Sequence, residues 1–176
     1  PLAVAGPQPG VPAPEAADRL PIVPQYALAR VWWLGTHGGA GESTLANLVE
    51  HTAAAGHAWP VPGDPRIAPL HRVVLVARTN MHGLRSAQRA AIQWASQTLP
   101  PTIQVDGLVL MADAPGRLPK ALRDAAEVIS GGVRQTWTLP WNEAWRHGDL
   151  SPRTAPRELH RIFNDLNIPL TFKEHQ

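Results

Sequence analysis

The chain has no cysteine. That alone excludes a disulfide scaffold, a thiolate zinc site and a cysteine nucleophile. Lysine is nearly as scarce: Lys120 and Lys173 stand against 14 arginines. With abundant alanine and proline, this is the composition a high-GC bacterial genome encodes. No apolar run approaches the ~18 residues of a membrane-spanning helix, so none is expected. Charged residues make up 17% of the chain, below the ~25% of an average domain, and the formal net charge is only +2. That balance does not by itself point to nucleic acid, although it permits local basic patches. Hydrophobic residues reach 44%, which excludes a largely disordered chain.

Proline is what the chain has in excess, 19 in 176 residues, with seven in the first 24. Proline fixes φ and removes a backbone donor, so residues 1–27 can form neither a helix nor a central strand. They read as a Pro/Ala-rich arm. It is either a solvated linker or a segment that docks on a neighbour through Leu20, Ile22, Val23 and Tyr26. The remaining length is one domain's worth, expected over 28–168, with a short tail at 169–176.

From residue 28 apolar runs alternate with helical patterns. Val31–Leu34 is a continuous apolar run ending in Gly35, which suits a strand buried on both faces. A Gly-rich segment follows at 35–41. A helix is predicted from Ser43 to about Ala55, with Gly56 as its stop. Residues 57–69 carry four prolines and leave room for little more than a short strand. Val73–Ala77 and Val105–Met111 read as buried strands, and Val133–Leu139 as a fourth. Helices are predicted over 83–98, over Leu118–Ser130, and in a last segment that Thr154 could cap. That last helix carries Leu159, Ile162, Phe163 and Leu166 at helical spacing. Strand and helix in alternation, joined by connections too long for hairpins, predict an α/β fold with a mostly parallel sheet in three layers.

The informative motif is Gly35-Thr36-His37-Gly38-Gly39-Ala40-Gly41-Glu42-Ser43-Thr44. It lies between a buried strand and a helix, where a phosphate-binding loop belongs, because glycines let the main chain curl its N–H groups inward. GTHGGAGEST resembles the deviant Walker A loop of ParA/MinD-type P-loop ATPases, K-G-G-x-G-K followed by two serines or threonines. Gly38, Gly39, Gly41, Ser43 and Thr44 match in register. The segments 72–96, 105–115 and 138–149 are similar to that family's later strands, so the resemblance covers roughly residues 30–150. It implies a P-loop-type fold and a nucleotide loop at Gly38, Gly39, Ala40, Gly41, Glu42, Ser43 and Thr44. It also implies a base pocket near Trp141 and Trp145.

The departures weigh as much as the matches. His37 replaces the signature lysine and Glu42 the phosphate-binding lysine. Charges ~4 Å apart at an effective dielectric of 20 interact by about 4 kcal/mol, so a carboxylate there opposes a triphosphate. We expect the Glu42 carboxylate to fill the loop's own N–H nest instead. No strand ending in a Walker B aspartate is legible, and the sequence reads as though that strand were deleted. Asp64 is the one acidic residue between the first helix and the Val73 strand.

Other constellations are weaker. The eight histidines show no metal-ligand spacing, although His37 and His82 both fall near strand C-terminal ends, where α/β ligands bind. No nucleophile motif is present. Arg153, Arg157 and Arg161 at i, i+4 and i+8 would form a basic stripe on the last helix that could touch DNA phosphates. Trp141 and Trp145 could stack on a base, plug a vacant pocket or anchor a partner; Trp59 reads as exposed.

The expectation is therefore a degenerate ParA/MinD-like pseudo-ATPase of the bacterial cytoplasm, with no catalytic residues, metal or cofactor. It would serve as an adaptor or scaffold in an assembly such as plasmid maintenance or conjugation. It would hold protein partners through the arm and the old nucleotide face. The alternatives are an ATP/Mg-dependent switch that homodimerises and binds DNA nonspecifically, and a DNA-binding accessory protein without nucleotide.

Overall fold

The computed structural model describes residues 6–64, 66 and 70–174. Residues 1–5 of the arm, Pro65 and residues 67–69 of the proline bridge, and the last two residues of the tail lie outside them. In chain order the strands and α-helices are β1 (Ile22–Gln25), β2 (Val31–Gly35), α1 (Glu42–Leu48), β3 (Thr52–Gly56), β4 (Trp59–Pro62), β5 (His71–Arg78), α2 (Met81–Ala95), β6 (Ile103–Met111), α3 (Lys120–Ser130), β7 (Thr136–Leu139), α4 (Glu143–Arg146) and α5 (Glu158–Leu166).

Five strands form an all-parallel sheet in the order β3-β2-β5-β6-β7, and β1 pairs with β4 in a separate two-stranded ladder. The chain steps from β2 to β3 on one side. It then returns across β2 to β5 and continues outward through β6 and β7. The reversal creates a topological switch point at the carboxyl ends of β2 and β5, the place where open α/β sheets bind ligands.

β2 shows why the sheet has helices on both faces. Successive side chains of a strand point to opposite faces. Trp33 packs with Leu45 and Leu48 of α1 and with Leu159, Ile162, Phe163 and Leu166 of α5. Trp32 packs in the other cluster with Leu84, Ala87 and Trp94 of α2 and Ile129 of α3. Both indoles are at most 1% exposed. Phe163 meets Trp33 edge-on, with ring centroids 6.0 Å apart. Burying each large side chain of α5 contributes roughly 1.5–3 kcal/mol, so periodicity rather than capping fixes this helix.

Four expectations change. The first helix ends at Leu48, not Ala55. Val49 is extended, His51 turns the chain at φ 58°, and Thr52–Gly56 pairs with β2. A run of alanines favours helix by propensity, but the open flank of β2 offers a full ladder of hydrogen bonds and prevails. β3 is therefore a strand where helical spacing predicts the end of a helix. What it lacks is a carboxylate, for its carboxyl end is Gly56-His57.

Trp59 is fully buried rather than exposed, because β4 carries it into the cluster that holds Trp32. Thr154 does not cap the last helix: its hydroxyl donates to the carbonyls of Asp149 and Ser151 in a turn before α5. Arg153 lies in that turn, Arg157 precedes α5 and only Arg161 is within it, so the three arginines do not share one helical face. Pro152 and Pro156 break the register that the spacing assumed.

The proline arm lies on its own domain. The Pro21 carbonyl accepts from Trp59 N–H and the Gln25 carbonyl from Gly63 N–H, both at 2.8 Å. The buried amide of Gln93 on α2 bonds both main-chain groups of Leu20 at 2.9 Å. Leu20 is half-buried, whereas Ile22, Val23 and Tyr26 remain exposed.

Candidate functional site

Among the loops that leave the carboxyl end of the sheet are 36–41 after β2, Thr79-Asn80 after β5, 112–119 after β6 and Pro140-Trp141-Asn142 after β7. Between them lies a cleft of about 720 Å³, lined among others by His37, Gly38, Gly39, Thr44, Arg78, Asn80, His82, Asp113, Trp141, Trp145 and Arg146. A second, more apolar cavity of about 590 Å³ adjoins it, and Asn80, Asp113, Pro140 and Trp141 line both.

The Gly-rich loop is held from two sides. Gly41 adopts φ 109°, and a Cβ there would collide with the Met111 side chain. Glycine is thus required for both backbone angle and space. Thr36 extends the β2–β5 ladder: its N–H donates to the Val76 carbonyl at 3.0 Å and its hydroxyl to the same oxygen at 3.2 Å.

Glu42 does not line the cleft. Its carboxylate is buried and folds back against Gly35, where any Cβ would overlap it. One carboxylate oxygen accepts the Gly41 N–H at 3.1 Å. The other lies 3.9 Å from His57 Nε2, and His57 Nδ1 is 2.8 Å from the Gly35 carbonyl, to which it donates. The carboxylate thus takes one loop N–H and does not fill the loop.

His37 fastens the loop to the sheet. Its Nε2 accepts the main-chain N–H of Arg78 at 3.0 Å. That nitrogen must therefore carry a lone pair, which leaves the proton on Nδ1, 2.9 Å from the Gly38 carbonyl. Burial holds the His37 pKa below the ordinary histidine value. The Gly38 hydrogen bond opposes the shift, the His82 and His57 rings add to it, and the Glu42 carboxylate opposes it more weakly. The His82 ring stands edge-on at 5.4 Å between centroids. Arg78 spans the cleft floor, donating from Nε to the Gly39 carbonyl at 3.1 Å and from Nη1 to the Ala112 carbonyl at 3.0 Å.

The opposite wall is the β7–α4 loop. Asn142 caps α4 by accepting the Trp145 N–H, and its amide donates to the Thr154 carbonyl at 2.6 Å. The Arg146 guanidinium lies over the Trp141 ring, 5.5 Å from its centroid, while Trp141 Nε1 donates to Glu143 at 2.8 Å. The Trp145 indole nitrogen is buried without a hydrogen-bond partner. Among the described residues, no group of three or more His, Cys, Asp or Glu could hold a metal ion.

The structure brings Gly38, Gly39 and Thr44 of the loop together with His37, His82, Trp141 and Trp145, whereas Ala40, Gly41 and Glu42 are buried away from the cleft. Ser43 is exposed and does not line the cleft, and neither do Arg153, Arg157 and Arg161. Arg78, Asn80 and Arg146 were not singled out from sequence. Arg78 and Asn80 carry only the signal of position, at the carboxyl end of β5, and Arg146, the last residue of α4, carries none.

Fold and site together define an all-parallel α/β protein with a basic, tryptophan-walled cleft at the carboxyl edge of its sheet. The chain belongs to DUF6668, a family of unknown function, whose model matches residues 29–162. No curated protein and no solved structure matches it. None of the helices among the described residues is long and apolar enough to cross a membrane.

Proposed function

We propose that the chain is a non-catalytic relative of the ParA/MinD-type P-loop ATPases that works as an adaptor, using the old nucleotide face to hold a partner. The placement of Glu42 carries this reading. The residue in the lysine position is buried beneath the loop against Gly35 and His57. Neither strand beside β2 ends in a carboxylate that could orient a magnesium ion and a water: β3 runs into Gly56-His57 and β5 into Arg78-Thr79-Asn80. Phosphoryl transfer depends on such groups, so their loss removes turnover while leaving a cleft that can bind. The cleft retains what a partner-binding surface uses: half-buried tryptophans and an arginine over one of them.

Nonspecific DNA binding has less support. Arg157 and Arg161 lie 3.6 and 3.8 Å from Glu158 and Asp165, so the last helix is partly neutralised.

The reading is tested by affinity purification with the wild type beside a Trp141→Ala/Arg146→Ala double variant and a chain lacking residues 1–27. A partner retained by the wild type and lost with the double variant supports the cleft as the docking face. Retention unchanged by the double variant overturns it; loss on arm deletion alone moves the docking surface to the arm where the truncated chain keeps the wild-type urea midpoint, because β1 pairs with β4.

A further inference from the structure

We propose that the cleft is an oxyanion site that loads together with a proton, with His37 acting as the latch between the Gly-rich loop and β5. The inference rests on the cleft being a binding face rather than a hydrolytic centre, and it names the ligand chemistry and the control of that face.

The latch follows from the hydrogen-bond inventory of an imidazole. A neutral ring has one donor nitrogen and one acceptor; an imidazolium has two donors. His37 Nε2 accepts the Arg78 N–H, an amide that offers only a proton. Protonating His37 sets two N–H groups against each other, and the contact must open. The remaining tie, from Nδ1 to the Gly38 carbonyl, lies within the loop and holds nothing to the sheet. Arg78 Nε still holds the Gly39 carbonyl, so opening the latch frees the main-chain N–H of Arg78 without releasing the whole loop. The freed Arg78 N–H then becomes a donor at the cleft wall.

The charges around His37 favour an anion as the occupant. His82 faces it from α2, Arg78 from β5, Glu42 from α1 and His57 from the end of β3; Asp113 and Arg146 share the cleft from the loops after β6 and β7. Of these, Arg78, Arg146, Asp113, His82 and His37 itself line the cleft. With neutral histidines they give it one net positive charge; with both protonated, three. A neighbouring cation opposes protonation of His37, and an anion placed between the two rings removes that opposition. Anion binding and proton uptake therefore strengthen each other by linkage. The carboxylate that would compete as an internal anion, Glu42, is committed to Gly41 N–H on the other side of the loop. The shared chemistry is a dianionic oxygen group, a phosphate or a pair of carboxylates.

Two measurements on the full chain test this. Sulfate and oxalate keep both charges between about pH 5.5 and 7.5, where histidine titrates, so they serve as probes for phosphate-like and carboxylate-like ligands. Calorimetry with each probe is expected to show affinity rising by about tenfold or more over that range as pH falls, with net proton uptake. Selective binding of sulfate marks a phosphate site, and of oxalate a carboxylate site. In parallel, two-dimensional NMR of the free protein is expected to show the Arg78 amide and the His37 ring moving with one shared midpoint. His37→Gln keeps an acceptor for the Arg78 N–H without the proton. It should fold as the wild type does and lose most of the pH dependence, whereas His82→Gln should retain the Arg78 shift. An Arg78 amide indifferent to His37, or a pH slope unchanged in His37→Gln, overturns the latch. Failure of both anions to bind at the acid end overturns the site. Neither result touches the adaptor reading, which fails instead on partner retention unchanged in Trp141→Ala/Arg146→Ala or on ATP turnover.

Discussion

The two flanks of the Gly-rich loop are built in opposite ways. On the β3 side the space is closed: Glu42 folds against Gly35, and His57 spans from the Gly35 carbonyl toward that carboxylate. On the β5 side it is open: His37, Arg78, Asn80 and the Trp141–Arg146 wall surround a cleft of about 720 Å³. In sequence the reversal from lysine to Glu42 looks like a charge aimed at a ligand. In the structure that charge faces the closed flank, and the open flank is basic. Glu42 belongs to the closed flank and leaves the open one basic, so the proposed loss of catalysis and the proposed binding surface are separable.

The sharpest way to break the comparison is at the glycine both flanks depend on. Gly41→Ala forces a side chain into left-handed backbone, at about 1–2 kcal/mol, and into Met111, at about 1–3 kcal/mol more. Urea unfolding should show a loss in the range of those terms, and cleft binding should fall with it. A neutral result would mean the loop is held by neither.

A pH series comes next. His37 and His71 both have pKa values held below the usual histidine value of 6.5, His37 by burial and His71 by burial against the opposing Pro60 hydrogen bond. As pH falls, the unfolded chain binds these protons first. The two residues therefore contribute stability in full above about pH 6.5, and lose it as pH falls through their lowered folded-state values. Urea unfolding of the ligand-free protein should show that decline, shallower in His37→Gln and in His71→Gln. A wild type equally stable at about pH 5.5 and 7.5 would contradict the assignment.

How much of this was legible in the sequence depends on whether the signal was local. The buried run Val31–Leu34 and the loop after it were legible because burial on both faces and glycine's freedom are properties of a few consecutive residues. β3 was not: Thr52–Gly56 has small residues with helical propensity, and only its neighbour β2, 21 positions upstream in the Val31↔Thr52 pair, makes it a strand. Trp59 misled for the same reason, since flanking prolines suggest an exposed bridge until β4 pairs with β1. Arg78, Asn80 and Arg146 meet only because the topology gathers the ends of β5 and β7. The arginine stripe does not form because Pro156 interrupts the helical periodicity between Arg153 and Arg157.

Smaller effects sharpen the contrast between the flanks. Glu42→Gln should cost about 1 kcal/mol, since the amide oxygen still accepts from Gly41 but the charge is lost. It should leave anion affinity in the cleft unchanged within roughly a factor of two. A tenfold gain would show that the Glu42 charge reaches the open flank. Arg146→Ala should alter stability by at most about 1 kcal/mol, the value of an exposed cation–π contact, and should weaken anion binding.

The central claim is that this loop no longer supports phosphoryl transfer, and the direct measurement is phosphate release from magnesium ATP by the purified chain. The account predicts release no faster than in buffer alone, for the wild type and for Arg78→Ala alike. Sustained turnover by the wild type that disappears in Arg78→Ala would contradict it.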